Sequence, residues 1–482
     1  MQYSFIIFFL FLFASNTLSA QENNTAKESP PPLAKTDQGL LFTIKGSNTI
    51  GAKLAPHWTK HYLEQRGLKS VTIIPGAIDN EFRVGGLNGE VRAYVDIYAH
   101  GSSTGFMGLK DNSADIAMSS RPIKYDENES ISKIIDLNDF EAEHVVALDG
   151  LAIIVHPENP IKTLSVQQIR EIFSGNINNW KELNGTNAPI ARYARDHKSG
   201  TWETFSTIVL GKNHFLSRQT QRFESSKMLS QNIYQNPYGI GFVDLSSIGN
   251  NKALAISDAQ NQAIHPKVAF IATEDYPLSR RLYMYSLPNK LNVHAKYFLD
   301  FIQSDSGQQL VEDSGFISQR PLSIAINDLS GPEEYLDVVK KGERLSINFR
   351  FKSNSSALDN KAKQDIMRLV DYMQAPEQRN KIIQLIGFGN TKDRNRRSLL
   401  LSKLRATSVK TELRKHSVNT ASVIGFGDHF PIASSTGESR HKNQRVEVWI
   451  FDQKYKQLLQ NIKKDVSIKV QNRNTSNLLS SD

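Results

Sequence analysis

Twice within the first 105 residues, an apolar strand-like run stops at a loop of glycine and hydroxyl residues, and a helical pattern follows; a third such loop opens a helical pattern near residue 200. Leu40-Leu41-Phe42-Thr43-Ile44 leads into Gly46-Ser47-Asn48-Thr49-Ile50-Gly51 and then Leu54, Trp58, Tyr62 and Leu63. Val95-Asp96-Ile97-Tyr98-Ala99 leads into Gly101-Ser102-Ser103-Thr104-Gly105. In Arg192–Phe205, Arg195 stands four residues ahead of a Ser199-Gly200-Thr201 turn that opens a helical pattern. Such a recurrence restricts the chain to an α/β architecture, which presents ligands at the carboxyl ends of its strands.

Each loop read by itself is an N-capped turn. Together they point to an oxyanion site. Ser-Gly-Thr at a helix start offers backbone N–H groups, two hydroxyls and a positive helix end, and Arg195 can add a planar pair of donors.

With 482 residues, two or three domains are expected. Residues 1–20 read as a secretory signal peptide, with an apolar run from Phe5 to Ala14 and a small-residue end at Leu18-Ser19-Ala20. Residues 21–40, with Pro30-Pro31-Pro32, read as a disordered linker. The chain has no cysteine, which excludes disulfides, thiolate metal sites, a cysteine nucleophile and a lipid-modified N-terminal cysteine. The net charge of +9 is concentrated late: residues 343–452 hold 20 Lys and Arg against 11 Asp and Glu. An anionic envelope polymer or membrane surface therefore suits the last third, and nucleic acid is not expected as a partner.

Residues 41–325 alternate strand-like and helix-like segments over about twice the usual domain length, which implies two lobes and a cleft. Val145–Leu148 and Leu151–Val155 read as buried parallel strands. Residues 326–342 read as a linker. A small α+β domain follows over 343–452: strand Leu345–Phe351, helix 359–374, strand Ile382–Ile386, helix 395–416 and strand Arg445–Phe451. Residues 453–482 form a basic tail expected to be mobile.

By its ordered motifs, 41–325 resembles the PstS-like phosphate-binding proteins of ATP-driven importers. The matching pieces are Gly46-Ser47-Asn48-Thr49, Gly101–Gly105, Asp115–Pro122, Ile172-Phe173-Ser174-Gly175 with Asn179-Trp180, Arg195 with Ser199-Gly200-Thr201, and Gly239–Val243. Residues 343–452 resemble the OmpA-like, peptidoglycan-associating domain through Phe349-Arg350-Phe351, Ile386–Gly389, Leu401-Ser402 with Arg405-Ala406, Gly425-Phe426-Gly427, Pro431-Ile432-Ala433 and Asn443–Val446. The resemblance implies a two-lobed type II periplasmic-binding-protein fold of α/β class, followed by a small α+β domain. It also implies a phosphate site made by Ser47, Asn48, Thr49, Ser102, Ser103, Thr104, Ser119, Ser120, Arg195, Ser199, Gly200 and Thr201. Peptidoglycan would be held by Asn390 and Arg405.

Two departures stand out. Where the first family places an aspartate that accepts a proton from phosphate and rejects sulfate, this chain has Ser120, with Asp115 and Asp196 nearby in sequence. Where the second family has an aspartate, this chain has Asn390; Asp393 could substitute, and Arg394, Arg396 and Arg397 supply a basic surface. An amide accepts from an ammonium group without charge assistance.

The histidines show no metal-ligand spacing, and Ser103 and Ser199 have no recognisable His partner in sequence, although His100 and His197 flank two of the loops. No enzyme activity, metal or cofactor is expected. The expected role is periplasmic binding of phosphate or a similar oxyanion, with an inner-membrane ABC permease and peptidoglycan as partners. The alternative is an envelope scaffold, adhesin or phosphate sensor that has kept the binding fold without transport.

Overall fold

Residues 143–155 run as a single strand, Glu-His-Val-Val-Ala-Leu-Asp-Gly-Leu-Ala-Ile-Ile-Val, and every residue from Val145 onward is buried. Burial on both faces explains the unbroken apolar run. The parallel pairing expected from it does not occur: this strand pairs antiparallel with both neighbours. It is apolar because it crosses the middle of the binding domain.

The computed structural model describes residues 30–131, 135–197, 199–324, 331–352, 355–390, 396–435 and 438–461. The signal-peptide expectation for 1–20, and most of the expected mobile tail, lie outside these residues. Of the stretch read as a disordered linker, Leu33 is buried and donates its N–H to the Arg66 carbonyl at 2.9 Å.

The first lobe is built on β1 (Gly39–Gly46), β2 (Lys69–Pro75), β3 (Glu81–Asn88), β4 (Val91–Tyr98) and β5 (Ile116–Ser119). Next come β6 (Glu143–Val155), β7 (Thr163–Ser165), β8 (Ala191–Arg195), β9 (Gln221–Phe223) and β10 (Gly239–Asp244). Short strands β11 (Lys252–Ala253) and β12 (Ala255–Ser257) precede β13 (Ser279–Ser286). One sheet threads both lobes in the order β2-β3-β4-β1-β5-β13-β6-β10-β8-β9. Strands β6 and β13 join the halves: Val146, Ala147, Leu282 and Met284 belong to the first lobe's core, whereas Leu148, Leu151 and Leu278 belong to the second's.

The C-terminal sheet has β14 (Ser323–Ile324), β15 (Glu343–Phe349), β16 (Lys381–Gly387), β17 (Thr420–Gly425) and β18 (Val446–Asp452), ordered β14-β15-β18-β16-β17. Helices Asn360–Gln374 and Arg396–Lys415 cover one face through Ile366, Leu369, Ala406 and Val409. The stretch read as a linker contains helix Glu333–Val339, whose Tyr335, Val338 and Val339 pack on the opposite face against Trp449 and Phe388. Four apolar residues among charges, Tyr335, Leu336, Val338 and Val339, make a run too short to register as a helix, yet it closes the second face of the sheet.

Candidate functional site

Strand β1 ends at Gly46, with φ +133°, and an added Cβ there would lie 2.1 Å from the Met118 carbonyl oxygen at the end of β5. Glycine thus lets two strand ends abut, and the loops beyond them are stitched together. Ser47 N–H donates to Met118 O at 2.9 Å, Gly101 N–H to Gly46 O at 2.8 Å, and Ser120 N–H to Ser102 Oγ at 3.2 Å. Ser47 also caps helix Asn48–Gly51 by accepting from Thr49 N–H. Helix Ser102–Lys110 begins after Gly101 with no side-chain cap on its first turn.

The second lobe contributes helix Gly200–Phe205, capped by Ser199, whose Oγ accepts from Thr201 and Trp202 N–H. Gly200 lies flat on Thr49: a Cβ on it would be 2.6 Å from Thr49 Oγ1. The cleft is closed at this point, and only a glycine permits the approach.

A carboxylate sits at the meeting point. Glu203 accepts from Ser120 Oγ at 2.9 Å and from Thr49 Oγ1 at 3.3 Å. Ser102 Oγ lies 3.4 Å from Ser120 Oγ. On the other side of Thr49, Arg280 Nη2 donates to Thr49 Oγ1 at 2.8 Å and to Gly200 O at 3.1 Å, while its Nε donates to Asp149 Oδ2 at 3.1 Å. Arg280 and Asp149 are cross-strand partners on β13 and β6. The hydroxyl of Thr49 thus donates to the acid and accepts from the base.

Several expected ligands are brought together here: Ser47, Thr49, Ser102, Ser120, Ser199, Gly200 and Thr201. Asn48 adjoins them, with a buried amide oxygen that has no hydrogen-bond partner among the described residues. Others turn elsewhere. Arg195, expected to add donors at the Ser199–Thr201 turn, directs its guanidinium to Phe223 O at 3.3 Å, Glu224 O at 2.5 Å and Ser226 Oγ at 2.5 Å. It fastens the segment after β9, and burial pulls its pKa down. Ser103 is drawn into a network with Arg121 and Glu127. Thr104 Oγ1 donates to Gly101 O at 2.8 Å, and Ser119 Oγ to Arg121 O at 2.6 Å. His100 contacts Glu81 at 2.9 Å rather than the loops.

Neither nearby aspartate supplies the missing carboxylate. Asp115 accepts from Thr43 N–H at 2.8 Å and from Asn292 Nδ2 at 3.0 Å, which fixes the base of the lobe. Asp196 lies 3.9 Å from Arg195, whose guanidinium turns to the segment after β9. Glu203, Arg280 and Asp149 were not picked out from sequence. Glu203 had a usable signal, standing one turn into the helix that Ser199 caps; Arg280 had none, lying about 80 residues downstream outside any motif.

A PBP superfamily domain model matches residues 88–306, and an OmpA family model matches 350–445. The phosphate-binding protein PstS of Pseudomonas aeruginosa is 30% identical over 247 residues, covering 46% of this chain and 73% of that protein. The chain belongs to the PstS family. The PstS of Borreliella burgdorferi is 26% identical over 254 residues, covering 52% of this chain and 87% of its own. An ABC-type phosphate transport receptor from Vibrio cholerae, solved by crystallography, is 25% identical over 57% of this chain and 99% of its own, with a TM-score of 0.45.

This PstS-family chain also carries an OmpA family domain behind its binding lobes. There Asn390 and Arg405 are both buried. Arg405 Nη2 donates to Gln444 Oε1 at 3.0 Å, and its guanidinium lies over the Phe351 ring at 5.5 Å. Gly387 lets the long helix come close, because a Cβ there would be 2.1 Å from Ser402 O. Asp393 and Arg394 lie outside the described residues.

Proposed function

We propose that the cleft between the two lobes binds inorganic phosphate, or a similar oxyanion that carries a proton, for ABC-type import from the periplasm. The observation that carries this reading is that Thr49 and Ser120 of one lobe donate to a carboxylate of the other, Glu203, with Ser102 beside Ser120 and Gly200 packed against Thr49. The Glu203 oxygens occupy the hydrogen-bond positions an oxyanion would take. Donors that hold one anion there can hold another, with Arg280 adding positive charge from β13.

Glu203 also sets a condition on the ligand. Two anions share this small set of hydroxyls only when a proton lies between them. Hydrogen phosphate brings that proton; sulfate at neutral pH does not. The carboxylate that Ser120 displaces from its usual place thus returns from the opposite lobe.

The OmpA domain would hold the receptor at the envelope, with peptidoglycan bound around Asn390 and Arg405. Glu203 in the ligand's place favours a second reading, a scaffold or sensor whose cleft stays shut. Titration calorimetry of the full mature chain with phosphate, sulfate as competitor, separates the two. Phosphate binding that ignores sulfate supports the receptor. Binding of neither anion leaves the scaffold.

A further inference from the structure

We infer that the OmpA domain acts as a brace across the two binding lobes, holding the cleft closed through contacts made on both sides of the strands that join them. This rests on reading the cleft as one that opens and closes around an anion. It goes beyond attachment to the cell wall.

The contacts divide between the lobes. On the first lobe, Asn360 Nδ2 donates to Asn138 O at 2.9 Å and to Glu143 Oε1 at 3.1 Å, and Arg368 Nη2 donates to Gln303 Oε1 at 2.6 Å. On the second, Asp275 accepts from Arg344 Nη2 at 2.5 Å and from Asn348 Nδ2 at 2.8 Å, while Thr273 O accepts from Asn348 and Arg350. Lys442 Nζ donates to Tyr276 O and Pro277 O, each at 3.2 Å, and Ser434 N–H donates to Asp258 Oδ2 at 3.0 Å. Strand β15 is patterned for this role. Leu345, Ile347 and Phe349 enter the core of the C-terminal domain, whereas the alternate residues Arg344, Asn348 and Arg350 meet the second lobe.

The seam meets the ligand site at one strand. On β13, Arg280 pairs with Asp149 of β6 and reaches Thr49 in the cleft. The next residue, Arg281, pairs with Leu148 in register and turns to Glu274 and to Asp359, the N-cap of helix Asn360–Gln374. Adjacent arginines at the crossing between the two cores thus serve the cleft and the brace. Opening the lobes about β6 and β13 would pull Asn138, Glu143 and Gln303 away from Asp258, Thr273 and Asp275, yet one rigid domain grips both groups.

The absence of cysteine makes the test direct. Spin labels at Lys110→Cys and Lys212→Cys, exposed positions on the two lobes, report the interlobe distance in the full chain. The braced chain is expected to give a mainly short distance without inorganic phosphate, with a minor open fraction through which the anion enters and which phosphate removes. Adding Asn360→Ala with Arg368→Ala should broaden the phosphate-free distribution toward longer distances; Asp275→Asn, which keeps the shape of the seam, should do so from the other lobe. A labelled parent chain that is already mainly open without phosphate, or variants indistinguishable from it, would overturn the brace. If the loosened variants open but phosphate does not close them, the brace stands and the phosphate reading fails.

Discussion

At Thr49 a single hydroxyl accepts from Arg280 and donates to Glu203, so these two charges are linked through a neutral relay while Arg280 pairs directly with Asp149. Thr49→Val keeps the shape and removes the relay. Phosphate affinity should fall about ten- to a hundredfold, the loss expected for a hydrogen bond to a charged group, as read by calorimetry. Glu203→Gln removes the like charge facing the ligand. A unit charge about 4 Å away is worth about 4 kcal/mol at an effective dielectric of 20, so sulfate binding should rise at least about tenfold and the pH dependence of phosphate binding should flatten. Continued exclusion of sulfate would refute the proton-sharing account. The two arginines should separate as well. Arg280→Met should weaken phosphate binding severely, whereas Arg195→Met should leave affinity nearly unchanged and lower stability by about 1–3 kcal/mol through its lost carbonyl partners. Equal losses of affinity would return Arg195 to the site.

At the scale of elements, glycines decide how closely strands and helices approach. Gly46 combines φ +133° with a Cβ position 2.1 Å from Met118 O, so Gly46→Ala should destabilise by about 2–4 kcal/mol in urea unfolding and displace the Ser47–Thr49 loop. Wild-type stability in that variant would mean that the ends of β1 and β5 can separate freely. This close approach also explains what the sequence reveals and what it conceals. Strand-loop-helix motifs are local, so the loops at 46–51, 101–105 and 199–201 were legible from composition and order. Most elements of the C-terminal domain were equally plain, since amphipathic helix Asn360–Gln374 and strand Lys381–Gly387 have clear periods, but strands β14 and β17 of its sheet were not read. Arg280 and Asp149 were not legible, because their pairing is a cross-strand register between segments 131 residues apart. Helix Glu333–Val339 was missed because a seven-residue segment makes too few turns to show a period. Arg195 misled for a related reason: spacing places it beside the turn, but its direction is set by carbonyls of a segment 28 and 29 residues away.

The whole molecule is held as one body by a buried ionic seam, which ties its stability to pH. Burial opposes the charge on Glu274 and Asp275, but neighbouring cations outweigh it: Arg281, Lys361 and Arg350 for Glu274, and Arg344, Arg445 and Arg350 for Asp275. Both carboxyls therefore titrate below their ordinary range. A group whose folded pKa is depressed contributes its full stabilisation above its unfolded pKa and loses it as pH falls through the folded value. The seam should thus be at full strength at neutral pH and weaken once the pH drops below about 4. Glu143, which faces Asn360 across the first-lobe contact, is shifted the other way by burial, so its protonation offsets part of that loss. Lys442 sits in the same seam, with its pKa lowered to about 8 by burial; at neutral pH it is charged in both states and adds no slope in the acid window. Glu274→Gln isolates the effect. It leaves Arg281 and Arg350 short of a buried counter-charge, so the full chain should lose about 3–5 kcal/mol at neutral pH. Because the variant has one fewer depressed carboxyl, its thermal midpoint should fall less steeply with acid than the parent's, and the two curves should converge at low pH. Parallel curves would mean that Glu274 is not linked to folding and that the seam draws its strength from Asp275 and the carbonyl contacts alone.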